Sequence, residues 1–118
     1  MWYLTLHRWT GDREHAVAQA LPAHLDWMRK QQLAGRVLIA GPSPDQDLGI
    51  IVIGHMSREA VDDLLSDEPL IAGGFRNYEV IGWDVHQLLG IGGFDLPTIT
   101  AMTASEHGQP SDGEVTLS

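Results

Sequence analysis

Residues 21–44, which read LPAHLDWMRKQQLAGRVLIAGPSP, constrain the possible folds of this chain more than any other stretch. They predict a helix that begins at Pro22 and ends at Gly35, because proline favours the first helical turn and glycine the left-handed residue after the last. A short strand over residues 37–40 follows, and the Gly41–Pro42 turn ends it. A helix that leads through a tight turn into a strand predicts a domain in which helices pack on a sheet.

One titratable residue, His24, lies on the predicted inner face of this helix. Leu21 precedes it by three positions and Met28 follows it by four, so all three share one side of the helix. An imidazole on an apolar face lies either against the sheet or in a pocket. It is then either a structural histidine bonded to the backbone or a general acid/base.

Composition excludes several classes of function. The formal charge of -9, from 16 acidic and 7 basic residues, repels a phosphate backbone, so we expect no nucleic-acid partner. The chain has no cysteine, and its six histidines lack the HxH, HxxxH and HExxH spacings, so we expect no metal and no cofactor. No apolar run approaches the ~20 residues of a membrane span, and the N-terminus does not resemble a signal peptide. We therefore expect a cytoplasmic protein that does not bind membranes.

The remaining patterns predict the order β-α-β-β-α-β. The predicted elements are a strand over residues 2–8, a helix over 13–20 that kinks or restarts at Pro22 and continues to Leu33, a strand over 36–40, a strand over 49–55, a helix capped by Ser57 and stopped by Asp67–Glu68–Pro69, a turn-prone link over 70–74, and a strand over 75–83. This order is typical of an α+β, ferredoxin-like fold.

Residues 49–55 (GIIVIGH) are apolar on both faces of the predicted strand. Two helices can cover only one face of the sheet, so the other face predicts a homodimer that packs sheet against sheet. We expect residues 1–90 to form this domain and residues 91–118 to be a partly flexible extension. Within the extension, residues 95–102 are predicted either as an edge strand or as an arm that reaches a partner subunit.

The segments PAHL, GRVLIAGPSP, SREAVDDLLSDEP and GWDVH occur in an order that resembles the YCII-related family over residues 2–84. The resemblance implies that ferredoxin-like domains pair as a dimeric α+β barrel, with a pocket between the sheet and the first helix and His24 in its wall. It also implies acid–base chemistry by a His–Asp pair, as in the removal of chloride from a chlorinated hydroxyquinol. The chain departs from the family pattern at two places: Glu68 stands where an Asp is usual, and Leu33–Ala34 replace a carboxylate near the helix end.

The candidate catalytic residues are therefore His24 and a carboxylate that orients it. Glu68 and Asp84 are the candidates for that carboxylate, while Asp26 points about 200° away around the helix. Glu68 is otherwise a solvated turn residue. The candidate substrate-binding residues are Arg36 and Ser43 for an anionic oxygen, His55 on the parity of Ile51 and Ile53, and Trp27 and Met28 as apolar walls. A surface ion pair, a turn hydroxyl and core packing are the alternatives for these residues.

These residues predict a cofactor-independent lyase or isomerase that acts on a small aromatic or polyketide-like compound by histidine acid–base catalysis. Imidazole suits this role because it can take and return a proton at neutral pH. Two alternatives stay open. One is a small-molecule-binding or accessory protein without chemistry, which the missing helix-end carboxylate favours. The other is a cofactor-free monooxygenase, by analogy of fold.

Overall fold

A computed structural model describes residues 1–88 and 92–93 of the chain. Its elements are β1 (Trp2–Trp9), α1 (Arg13–Leu33), β2 (Val37–Pro42), β3 (Leu48–Gly54), α2 (Arg58–Ser66), α3 (Pro69–Ala72), β4 (Arg76–Trp83), β5 (Gln87–Leu88) and β6 (Gly92–Gly93). No helix among these residues is long and apolar enough to cross a bilayer.

The first four strands form one sheet in the order β2-β3-β1-β4. β1 and β2 both pair antiparallel with β3, which lies between them. This is the topology of the β-α-β-β-α-β ferredoxin-like fold, so the α+β class predicted from the sequence is confirmed. β5 and β6 form a separate two-stranded sheet.

The first helix runs without a break from Arg13 to Leu33, so the prediction that a helix begins or restarts at Pro22 is wrong. Asp12 caps it by accepting a hydrogen bond from the Glu14 N–H, and Gly35 follows it with a positive φ of 77°. Pro22 removes one backbone N–H, but buried residues lie on both sides of it: Ala16, Ala20, His24 and Trp27. The packing of this face holds the helix together through the proline.

The link between the second helix and β4 contains a short helix that the sequence did not predict. α2 begins after its predicted cap, Ser57, whose side chain accepts from the Ala60 N–H, and it ends at Ser66. Glu68 then caps α3 by accepting from the Leu70 N–H, and Pro69 is the first residue of that helix. The turn Asp67–Glu68–Pro69 therefore ends one helix and begins another.

The helices cover one face of the sheet, which we call the covered face. The main cluster of buried residues brings strand residues Tyr3, Val37, Ile51 and Ile53 together with Trp27, Val61 and Leu65 of the helices. The register pairs Tyr3 with Ile53 and Thr5 with Ile51, so Thr5 lies on the same face as this core. The opposite parity carries Leu4, Leu6, Ile39 and Ile81, which define the outer face.

Contacts divide the chain into a unit of residues 2–82 and a second unit of Met1 with residues 83–118. All of the core and the site described below belong to the first unit. The predicted extension, residues 91–118, lies outside the described residues except for Gly92–Gly93, so its predicted edge strand or arm at residues 95–102 stays a prediction.

Candidate acid–base site between the first helix and the sheet

A cavity of about 460 Å³ lies between α1 and the covered face of the sheet. Its walls are largely apolar. The helix contributes Val17, Leu21, Leu25 and Met28, and the strands contribute Ala40, Gly41, Pro42, Gly49, Ile50 and Ile51. The polar groups are few: His24, Arg13, Gln32, Gln46 and Arg76. An apolar hollow with a small number of polar side chains is typical of a site for a small organic molecule.

His24 lies in the cavity wall and contacts Glu68, one of the two carboxylates proposed as its partner. The Nδ1 of His24 is 2.5 Å from Oε1 of Glu68, and the two residues are 44 positions apart in sequence. The helix brings the imidazole to this point because Ala20, His24 and Trp27 share its buried side. Glu68 reaches it from the cap of α3, which packs against α1.

Glu68 is completely buried, unlike the solvated turn residue that was its alternative interpretation. Burial alone raises the pKa of its carboxyl group, but hydrogen bonds from His24 and from the Leu70 N–H lower it further than burial raises it. The net pKa lies below the ordinary value, so Glu68 is ionised at neutral pH. A buried carboxylate that accepts these two bonds fixes the position of the imidazole ring.

The hydrogen bond to Glu68 determines which nitrogen of His24 can meet a ligand. An ionised carboxylate only accepts, so Nδ1 of His24 is the donor and carries a proton. The second nitrogen, Nε2, makes no hydrogen bond to the part of the chain that the structure describes, and His24 lines the cavity. In the neutral ring, Nε2 therefore has a free lone pair that can take a proton from a bound molecule.

A second histidine, His7, lies beneath the helices on β1. Thr5 Oγ1 donates to the Ile51 carbonyl at 2.8 Å and so must accept from His7 Nε2–H at 2.7 Å. Complete burial and then the positive charge of Arg76 lower the pKa of His7 from 6.5 to about 4. His7 is therefore neutral at physiological pH, and its hydrogen bond to Thr5 is structural.

Arg76, the first residue of β4, is the functional candidate that sequence reasoning missed. It lines the cavity and is only 9% exposed. A signal was present, because Arg76 shares the strand parity of Tyr78 and Val80, which pack against the core. A cation on a covered parity needs an explanation that a surface cation does not.

The other predicted substrate-binding residues occupy different places. Of these, Met28 lines the cavity, whereas Trp27 is buried in the main core. Arg36 is exposed and donates to Gln31, and Ser43 donates to Asp45 at the edge of a separate polar hollow. His55 packs edge-on against Trp2, with ring centroids 4.9 Å apart. The structure therefore brings His24, Glu68 and Met28 together and leaves Arg36, Ser43, His55 and Trp27 elsewhere.

The remaining candidate carboxylates have other partners. Asp26 pairs with Lys30 on the exposed side of α1, and Asp84 pairs with His86. Across residues 1–88 and 92–93, no three His, Asp or Glu side chains converge in the way that metal ligands do.

The fold and the site define a class: a ferredoxin-like α+β domain with a buried histidine–carboxylate pair beside a cavity under its first helix. A model of the YCII-related domain matches residues 1–84. The chain therefore belongs to the YCII-related family, as its motifs suggested. A search of curated proteins gave no match.

A solved structure with the same fold is the 5-chloro-2-hydroxyhydroquinone dehydrochlorinase TftG from Burkholderia phenoliruptrix AC1100, in complex with 2,5-dihydroxybenzoquinone. The two chains are 16% identical, and the match covers 70% of this chain and 93% of that one with a TM-score of 0.60. At this identity the similarity establishes the fold, which is that of the dimeric α+β barrels, and leaves the chemistry to be argued from the site.

Proposed function

We propose that this protein is a cytoplasmic, homodimeric lyase or isomerase that needs no cofactor and uses His24 as its proton carrier. The observation that carries the proposal is the hydrogen bond between His24 and the buried, ionised Glu68. A carboxylate behind an imidazole fixes its tautomer and stabilises the imidazolium that forms when the ring takes a proton. His24 is then the catalytic residue, and Glu68 is a positioning residue.

The proposed step is an elimination or a proton shift. Nε2 of His24 removes a proton from a carbon or hydroxyl of the bound molecule, and the electron pair left behind forms a new double bond. In an elimination the leaving group departs with its own bonding pair, so that the molecule loses HX overall. In an isomerisation the imidazolium returns the proton to another atom. Neither route is a net oxidation or reduction of the substrate, so neither requires an oxidant or a reductant.

The cavity supports a small aromatic or polyketide-like substrate. Its volume of about 460 Å³ suits a molecule of one or two rings, and its walls are mostly aliphatic side chains. The dehydrochlorinase with the same fold binds a dihydroxybenzoquinone. Hydroxylated rings that carry a leaving group are therefore the first compounds to assay with this chain.

The outer face of the sheet supports the proposed dimer. Leu4 lies opposite Val52, which lies opposite Ile39, so three strands contribute apolar side chains to one row. Ile39 is 63% exposed and Ile81 is 45% exposed. A second copy of the chain would cover such residues by packing its own outer face against them.

The direct test compares His24→Ala with the wild type on chlorinated and unchlorinated hydroxyhydroquinones, with free chloride and the ring spectrum as readouts. Loss of a positioned general base typically lowers the rate by about 10² to 10⁴-fold, and we expect a loss in that range with folding intact. His86→Ala is the matched control, because this exposed histidine pairs with Asp84 and does not line the cavity.

The same assay separates the proposal from its alternatives. Unaltered turnover in His24→Ala contradicts the proton-carrier role. Binding of the ring compounds without any product would indicate a ligand-binding protein, and oxygen uptake during turnover would indicate a monooxygenase.

A further inference from the structure

Arg76 is a buried cation to which the described part of the chain offers no hydrogen-bond acceptor. The residue is 9% exposed, and its Nε is buried without a partner. Across residues 1–88 and 92–93 it forms neither a hydrogen bond nor an ion pair; its ring contact is with Trp9. Guanidinium carries five N–H donors, and buried charges in folded proteins are normally paired.

The surroundings hold this unpaired cation in place. The guanidinium carbon lies 4.1 Å from the centroid of the Trp9 ring, which attracts the positive charge. On the other side, a Cβ added to Gly49 would come within 2.8 Å of the Arg76 Nη1. Gly49 therefore leaves the room that the guanidinium occupies. The guanidinium group is therefore held between the Trp9 ring and the backbone of β3 at Gly49, which has no side chain.

Burial works against the charged form of Arg76. It lowers the pKa of the guanidinium, and the carboxylate of Glu68 raises it in part. Leaving a buried charge without hydrogen bonds is unfavourable, and a bound anion would remove that penalty by accepting the free donors. Arg76 and His24 line the same cavity, so the anion would belong to the molecule that meets the Nε2 of His24.

We propose that Arg76 binds an oxyanion of the ligand, so that the cavity selects an organic anion with a carboxylate or an ionised ring hydroxyl over its neutral counterpart. The apolar body of that ligand then lies along Val17, Leu21 and Met28. This inference deepens the proposed function because it concerns the same cavity, but it predicts binding and does not depend on turnover.

The test titrates the full-length protein with benzoate and with benzamide, which has the same ring and no charge, and follows heat and the Arg76 Nε–H signal in ¹⁵N NMR. We expect saturable binding of benzoate and at least about tenfold weaker binding of benzamide, a difference of about 1.4 kcal/mol. A third titration with 4-nitrophenol at pH values on either side of its ionisation shows whether a ring oxyanion serves as well as a carboxylate. Binding of either anion supports the proposal.

Two substitutions at position 76 separate charge from shape. Arg76→Met removes the charge from a long side chain and should lose at least about tenfold in benzoate affinity. Arg76→Lys keeps the charge without the planar fork, and its benzoate affinity should lie between those of Arg76→Met and the wild type. Arg58→Met is the matched control, because Arg58 is exposed, pairs with Asp62 and does not line the cavity. Gly49→Ala should weaken benzoate binding as well, because the added Cβ displaces the guanidinium.

Thermal unfolding separates a ligand-binding role for Arg76 from a purely structural one, which predicts that Arg76→Met unfolds at a lower temperature than the wild type. If the charge awaits a ligand, Arg76→Met should unfold at the same or a higher temperature than the wild type without ligand, since an unpaired buried charge is removed. Equal binding of benzoate and benzamide, or full benzoate affinity in Arg76→Met, would overturn the proposal. If Arg76→Met does not fold, the charge supports the structure. In that case unchanged benzoate affinity in both Gly49→Ala and Arg76→Lys would overturn the proposal.

The outcomes also separate this inference from the proposed function. Benzoate should still bind to His24→Ala, because the oxyanion is held by Arg76. Arg76-dependent binding in a protein that turns over no ring compound would keep the inference and reject the lyase. Turnover of neutral compounds that does not depend on Arg76 would keep the lyase and reject the inference.

Discussion

The two faces of the four-stranded sheet each carry side chains that their surroundings do not favour. The covered face, which is under the helices, holds the polar side chains Thr5, His7 and Arg76, all of them buried. The outer face holds leucines and isoleucines, among them Ile39 and Ile81, which are 63% and 45% exposed. The same covered face also carries the apolar core residues Tyr3, Val37, Ile51 and Ile53, so the polar groups lie within the core and the apolar groups of the outer face lie outside it.

Both placements need an explanation. Buried polar groups are unfavourable unless they are bonded. Beneath the helices, Thr5 and the Nε2 of His7 bond to each other, and we infer that Arg76 awaits a ligand. Apolar groups on an open face are unfavourable in a monomer and favourable in a dimer. This difference is what we would expect if, as we propose, the covered face serves the chemistry and the outer face serves dimer formation.

A large effect on stability is expected at Glu68. Glu68→Ala leaves the Nδ1–H of His24 and the N–H of Leu70 without their acceptor, and each unsatisfied buried donor costs about 1 to 3 kcal/mol. We expect the free energy of unfolding to fall by about 4 kcal/mol, measured by urea denaturation.

Glu68→Gln is the matched control, because the amide oxygen can accept both hydrogen bonds without a charge. It should lose less than half as much stability as Glu68→Ala, yet lower turnover, since a neutral amide does not stabilise the imidazolium. Equal stability loss in both variants would mean that the hydrogen bonds are not what Glu68 contributes.

A pH dependence of stability is expected from His7. The pKa of His7 is about 4 in the folded chain and 6.5 when unperturbed. Burial and then the charge of Arg76 lower it, the carboxylate of Glu68 raises it in part, and His24 also lowers it. The unfolded chain therefore binds a proton first as the pH falls, so stability is full above pH 6.5 and declines towards pH 4. The free energy of unfolding should fall by about 3 kcal/mol across this window.

The variant His7→Gln tests the origin of this decline. Its amide can still donate to Thr5 but does not titrate. Urea denaturation at several pH values should show a much flatter profile between pH 6.5 and 4 than the wild type. A profile as steep as that of the wild type would assign the decline to another group.

The sequence predicted the fold because local signals agreed with one another. Asp12, Ser57 and Gly35 mark helix ends through their own backbone preferences, and the order of elements then limits the topology. Pro22 misled because a proline is a local signal, whereas the helix around it is held by tertiary packing. The short helix α3 was missed because four residues are too few to show a periodicity.

The site was predictable only in part, since it depends on long-range contacts. His24 was found from helical periodicity, but Glu68 is 44 residues away, and the sequence could not show that its cap position also faces α1. Arg36 and Ser43 were chosen because they flank a strand, whereas the cation that faces the cavity, Arg76, begins a different one. Strand parity was the one signal for Arg76, and it becomes decisive only when the covered face is known.

The smallest effect on folding, and the sharpest test of the contrast between the faces, is expected on the outer face. Ile39→Lys and Ile81→Lys place charges on residues that are 63% and 45% exposed, so the unfolding free energy of dilute protein should change by no more than about 0.5 kcal/mol. Ile51→Ala, on the covered face at 2% exposure, should cost about 2 to 5 kcal/mol.

Sedimentation velocity distinguishes what the two faces do. If the outer face pairs with a second copy, the wild type sediments as a dimer and each lysine variant as a monomer, because a charge would be buried without a partner at the sheet–sheet contact. Ile51→Ala should remain a dimer for as long as it is folded. A wild type that is already monomeric at all concentrations would remove the explanation for the apolar outer face, while the argument for His24, Glu68 and Arg76 on the covered face would still hold, since all three belong to one protomer.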